Sequence, residues 1–227
     1  MPPPAFRNRS REVSRIEAFS DVVFGFALTL IVVSLEVPQN FAQLMTEMRG
    51  FAGFAICFGI LMWVWYVHHT FFRRYGLSDD ITLVLNTLLM FLVLFYVYPL
   101  KFTFAVVTGA LPRGALASRA ESSQLMLIYG LGFTSIFLIF FFMHLHAYRK
   151  RAELELTDVE VYDTRTQMIH HVGYMAIGVV STILAATFRN QPQWAGWIFF
   201  LIGPTAGTIG WWRGTRRDQL SAIASTS

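Results

Sequence analysis

Long apolar runs alternate with short polar segments along the whole chain, and the runs exceed what a soluble core helix uses. A bilayer span needs about 20 mostly apolar residues. Lipid offers no partner to an unpaired backbone group, so helices are the natural form for such runs. Six segments qualify, at 15–37, 48–72, 80–101, 122–148, 166–188 and 194–212, each bounded by charge, Pro or Gly. Pro38 stops the first and Pro99 ends the third. The pattern predicts an all-α membrane protein with six transmembrane helices, forming one domain over 1–227. The Arg-rich start followed by apolar sequence has the outline of a signal peptide, yet the run from Phe19 is too long for one. No small-residue cleavage site precedes Glu36, so the segment reads as a retained first helix.

Composition supports the membrane reading. Of the 227 residues 55% are hydrophobic and 14% charged, with 22 Phe; soluble domains average about 25% charged. That balance excludes a disordered chain, a coiled coil and a nucleic-acid-binding domain. The single Cys57 allows no intrachain disulfide. The high pI of about 9.5 reflects topology: of 18 basic residues, 13 fall on the side of both termini and 5 on the other. The positive-inside rule then puts both termini in the cytoplasm. The longest polar segment, RKRAELELTDVEVYDTR, carries Glu153, Glu155, Asp158, Glu160 and Asp163 and reads as a solvated turn or helix extension.

Ionisable groups inside a span are costly and face protein or water. The first helix holds Arg15, Glu17, Ser20 and Asp21 in one third of its length. Glu17 and Asp21 share a face, whereas Arg15 lies about 240° from Asp21 and does not pair along the helix. Snorkelling at the membrane edge accounts for Arg15 and Glu17, but less well for the shorter Asp21. Partners are at hand in His68 and His69 of the second helix and Asn86 of the third. Such a cluster either satisfies its own hydrogen bonds away from water or relays protons through imidazole. His144 and His146 point to opposite sides of a helix, and the six histidines show no metal-binding spacing. TAGTIG at 205–210 only loosely follows a carbonyl-filter sequence, and Gly203 and Gly207 there read as a small-residue face for helix packing. No nucleophile with a base, phosphate loop or paired catalytic carboxylates points to an enzyme.

RIEAFSD resembles the Arg-x-x-x-Phe-Ser-Asp signature of the transmembrane protein 175 family of potassium channels, with Arg15, Phe19, Ser20 and Asp21 at its fixed positions. HHTFFR, Asn86 in LNTLLMF and Pro99 extend the likeness over the first half of the chain. The resemblance implies a bacterial inner-membrane potassium channel built as a homotetramer, with the first helix lining a central pore and K⁺ as permeant ion. It implies no cofactor. The pore constriction would be Phe26, Leu30 and Val33, one stripe of a helix, with Thr29 as a polar layer. Arg15, Phe19, Ser20, Asp21, His68, His69 and Asn86 would form the network holding that helix. Phe26 departs from the family's usual Ile or Leu. Two other readings stay open: a proton-coupled transporter using Asp21 with His68 and His69, and a non-conducting membrane scaffold.

Overall fold

In the computed structural model, which describes residues 6–10, 12–32, 39–109, 116 and 118–224, regular structure is helical throughout. The elements are α1 (Arg15–Val32), α2 (Phe41–Tyr75), α3 (Asp80–Val107), α4 (Arg119–Arg149), α5 (Asp158–Thr187), α6 (Gln193–Trp197), a 3₁₀ turn (Ile198–Leu201) and α7 (Ile202–Ala224). Among these residues four helical segments are long and apolar enough to cross a membrane: Gly50–Tyr75, Asp80–Val107, Arg119–Arg149 and Asp158–Thr187.

Side-chain caps decide where three helices begin. Asp79 accepts from the Thr82 N–H, and Ser118 accepts from the Glu121 N–H. At α5, Thr157 and Glu160 form a reciprocal capping box that starts the helix at Asp158, eight residues before the expected 166. Pro99 does not end α3, which runs on to Val107. Proline removes one donor and with it the bond to the Phe95 carbonyl, a single defect that membrane helices tolerate; the Thr103 hydroxyl back-bonds to the Pro99 carbonyl at 2.7 Å. The sixth apolar segment breaks into α6, the 3₁₀ turn and α7. TAGTIG sits inside α7, where helical bonding occupies the carbonyls a filter would need.

α4 and α5 make the most extensive helix contact, and glycine permits it. A Cβ on Gly130 would lie 3.1 Å from the Gly178 carbonyl, and one on Gly178 would lie 3.2 Å from the Gly130 carbonyl. Gly203 and Gly207 face open space instead, as does Gly25. The packing role expected of Gly203 and Gly207 therefore belongs to the pair on α4 and α5. Around that pair Phe133, Phe137 and Tyr174 interlock, with Trp63 of α2 packing against both Phe137 and Tyr174.

At the end of the bundle where α4 leads into α5, the segment before α1 is strapped down. Phe6 sets its ring edge-on to Tyr75, and the Arg9 N–H donates to the Arg73 carbonyl at 3.1 Å. Arg7 and Arg9 both reach the buried Glu160, Arg9 at 2.7 Å. Glu160 is thus a structural anchor, and Asp163 pairs with Arg217 at 2.8 Å. These two acids depart from the expected solvated run. At the same end, Asp79 accepts from Thr82, from Lys150 at 2.9 Å and from His146 at 2.7 Å. Partial burial pushes the Asp79 carboxyl up, but these hydrogen bonds outweigh it and hold the group well below the usual carboxylate range.

Candidate functional site

α1 is a helix with two unlike faces. Glu17, Ser20, Phe24, Ala27 and Ile31, spaced by three and four, are all buried against α2 and α3. The opposite stripe points away from the rest of the chain: Phe19 is 64% exposed, Val22 70% and Phe26 56%, with Arg15 and Thr29 also exposed. Leu30 is half-buried beside that stripe. Val33 lies outside the described residues. Phe24, about 200° from Phe26 around the helix, is 2% exposed and packs its ring 5.5 Å from that of His68.

A directed chain of hydrogen bonds fixes the buried face. The Asn86 amide donates to Ser20 Oγ at 2.8 Å, and the Ser20 hydroxyl donates to the Ile16 carbonyl at 2.8 Å. With the Asn86 nitrogen so committed, its oxygen must accept, and His68 Nε2 lies 2.9 Å from it. His68 therefore carries its proton on Nε2, leaving the buried Nδ1 as an acceptor without a donor. All three side chains are 2% exposed or less. In so dry a setting each bond is strong, and each unmet group is costly.

The carboxylates are placed differently from expectation. Asp21 accepts from the indole N–H of Trp65 at 2.8 Å, rather than from His68, His69 or Arg15. Glu17 does not snorkel; it is 1% exposed, with Oε1 3.4 Å from His69 Nδ1 and Oε2 unpartnered. Trp65 also stacks on His69 at 5.3 Å, so one side chain supports both the aspartate and the imidazole. The structure therefore joins Ser20, Asn86 and His68 in one group, and Asp21, Trp65, His69 and Glu17 in a second. Arg15 and Phe19 stand apart on the exposed stripe. Trp65 was missed because a tryptophan near a helix end reads as an interfacial anchor. The available signal was its spacing, one turn before His69.

An indole donates but does not accept, so it cannot pass a proton onward. The bond that Asp21 makes directly is therefore no step of a relay to the histidine pair. On the second half of the chain, His144 and His171 come together with ring centroids 4.7 Å apart, and neither His171 nitrogen has a partner. Among the described residues no group of three or more His, Cys, Asp or Glu side chains is placed to hold a metal ion.

Comparison with known proteins points to one family. Residues 15–96, from the start of α1 into α3, match the family model described as endosomal/lysosomal potassium channel TMEM175. A potassium channel of Marivirga tractuosa is 36% identical over 223 residues, covering 91% of this chain and 90% of the relative. A potassium channel of Chamaesiphon minutus is 33% identical over 96 residues, 39% of this chain and 47% of its own length. Among solved structures, the crystal structure of a variant of the potassium channel MtTMEM175, in complex with a nanobody fusion protein, superposes with a TM-score of 0.78 at 33% identity, covering 99% of this chain and 98% of that one. A Chamaesiphon minutus TMEM175 homolog shares the fold at a TM-score of 0.52 and 24% identity, over 84% and 98% of the two chains. The chain belongs to the TMEM175 family.

Proposed function

We propose that this chain is the subunit of a potassium-selective channel, a passive conductor and not an enzyme, in which copies of α1 surround the permeation path. The observation that carries this reading is the split character of α1. One face is locked to α2 and α3 by buried polar bonds, and the other presents Phe19, Val22, Phe26 and Thr29 to whatever lies beyond the single chain. A single first helix encloses nothing, so a pore requires symmetric association; four copies is the number the family resemblance supports. Six spans per subunit, with α1 and the α6–α7 segment added to the four long apolar helices, return both termini to one side. The excess of basic residues on that side supports the cytoplasm of a bacterial inner membrane.

Phe26, Leu30 and Val33 then form the apolar constriction, and Thr29 contributes a polar layer. Such a gate discriminates ions by how completely each must shed water. Four phenyl rings close the axis more fully than smaller aliphatic groups, and their faces attract a cation once it is partly dehydrated. The Ser20–Asn86–His68 bonds and the Asp21–Trp65 bond hold α1 in the rotation that aims Phe26 at the axis. Purified protein in liposomes should pass potassium down its gradient with no pH gradient imposed. Phe26→Ile should conduct at least as well and stay selective, whereas Phe26→Ala should raise flux and blur potassium against sodium. Flux that requires a pH gradient, or none at all, would sink the channel reading.

A further inference from the structure

Where α3 stops and α4 starts, a cavity of about 570 Å³ opens between α2, α3, α4 and the broken segment at 192–202. Its volume falls within the roughly 300–1,000 Å³ of sites that take small ligands. The wall is almost wholly apolar, with Ile60, Val107, Leu125, Met126, Trp197 and Phe200 supplying much of it. Water gains little in such a space, because it needs polar partners. Trp197 and Phe200 line the cavity and are 67% and 78% exposed, so it reaches the bundle's outer surface. Pro192 opens the segment that forms this wall, and the 3₁₀ turn that follows α6 brings Phe199 and Phe200 to the lining.

Two arginines stand at the same end. Arg119, one turn before the lining Ser122, donates to the Asn190 carbonyl at 2.9 Å. Arg189 is positioned by its carbonyl, which accepts from Ser123 at 3.0 Å, and Pro192 of the lining follows three residues later. Both side chains are exposed. An apolar slot open to the bundle's surface, with two exposed arginines on the segments that flank its lining, matches one molecule type: a long hydrocarbon chain ending in an anion. We propose that the cavity takes one acyl chain of an anionic phospholipid whose phosphate is held by Arg119 and Arg189. The proposal rests on α2 to α5 being membrane spans, not on ion selectivity.

The test uses the full-length protein in nanodiscs of equal parts phosphatidylglycerol and phosphatidylcholine, extracted into mild detergent for native mass spectrometry. The wild type should retain one phosphatidylglycerol per chain after the surrounding lipid is stripped. Gly196→Phe should lose it, since a side chain there grows towards Met126 Sδ, 3.9 Å from the Cβ position, and fills the cavity. Arg119→Gln and Arg189→Gln should each lower the preference for phosphatidylglycerol about fivefold. Equal retention by wild type and Gly196→Phe means surface lipid only and overturns the proposal. Loss of the oligomer in Gly196→Phe with lipid retained also overturns it, in favour of a second copy of the chain as occupant. If Gly196→Phe fails to fold, an unchanged headgroup preference in both arginine variants is the overturning result. Potassium flux from the same preparations separates this proposal from the channel reading: conduction without retained lipid removes the site alone, and retained lipid without conduction removes the channel alone.

Discussion

The helices α4 and α5 approach so closely that two glycines face each other's backbone, and the space around them is filled by phenyl, indole and phenol rings. α1 meets α2 and α3 quite differently. Its contact face carries a serine and a glutamate as well as apolar groups, and its register is set by hydrogen bonds to Asn86 and Trp65, with Glu17 3.4 Å from His69. In lipid, apolar packing between helices competes with equally apolar lipid tails, so close approach and polar bonds do the specifying. The α4–α5 pair uses the first device and α1 uses the second. Close packing makes a rigid wall. A directed polar chain fixes the rotation of a helix that is packed on one side only, which is the property a pore-lining helix requires. The match to the family model over residues 15–96 falls on the polar device and not on the packed wall.

The largest effect should come from breaking the wall. In Gly178→Leu the new Cβ would sit 3.2 Å from the Gly130 carbonyl and 3.2 Å from the Phe133 ring, with the backbone carbonyl unable to yield. Overpacking typically costs about 1–3 kcal/mol, and this site should reach the upper end, read as a large fall in melting temperature in detergent. A variant as stable as the parent would show that the α4–α5 contact is looser than the glycine geometry requires.

Phe24 and Phe26 divide stability from permeation on one helix. Phe24→Ala leaves a hole beside His68 and should cost about 2 kcal/mol, less than the roughly 3–5 kcal/mol of a soluble core because lipid also solvates the ring. Phe26→Ala, on the exposed stripe, should stay within about 0.5 kcal/mol of the parent while changing ion flux. Thermal unfolding and liposome flux on both variants check this. The reverse pattern, with Phe24→Ala altering selectivity and Phe26→Ala only stability, would mean that the faces of α1 are exchanged.

Helical spacing set Phe26 and Phe24 on opposite faces of α1, and they lie so, but Leu30 is half-buried beside the exposed stripe, and Arg15 and Phe19, expected in the polar network, lie on it. The grouping of Ser20, Asn86 and His68 was also within reach, since buried polar groups on adjacent helices seek one another. Other features depended on information that a linear pattern does not hold. Glu17 looked like a snorkelling residue because depth cannot be judged without the neighbouring helices, and those helices bury it. Glycines three or four apart occur in α7, yet it is Gly130 and Gly178 that meet each other's backbone, a fact of tertiary register. The strap of Arg7 and Arg9 onto Glu160 joins residues about 150 positions apart, where charge runs ordinarily signal only solvation. Pro99 failed as a stop because it costs a long apolar helix one bond, which a membrane helix tolerates.

Smaller effects should sharpen the polar half of the comparison. Asn86→Ala removes the group that both accepts from His68 and donates to Ser20, leaving two buried partners unmet. That should cost about 1–3 kcal/mol, measured by thermal unfolding, and Ser20→Ala should cost less because only one Asn86 donor is stranded. Equal losses from the two would mean that His68 gains nothing from Asn86 and that the chain of bonds is not a unit.

The smallest effect is the coupling between Asp21 and Trp65, and it bears most directly on what Asp21 does. Polar pairs between membrane helices average about 0.6 kcal/mol in double-mutant cycles, with a ceiling near 1.7 kcal/mol. A bond of 2.8 Å between partly buried groups should place this pair in the upper part of that range. Asp21→Ala removes the acceptor, Trp65→Phe removes only the indole donor, and the double variant closes the cycle. If the bond of 2.8 Å positions α1, the two single variants should be less than additive by about 1 kcal/mol, and neither should change how flux responds to pH. An imidazole relay starting at Asp21 predicts another pattern: additive stabilities, because the indole would be a bystander, together with a pH response abolished by Asp21→Ala and untouched by Trp65→Phe. Measuring unfolding and the pH profile of flux on all four proteins decides between a strut and a proton carrier, and the geometry of the indole favours the strut.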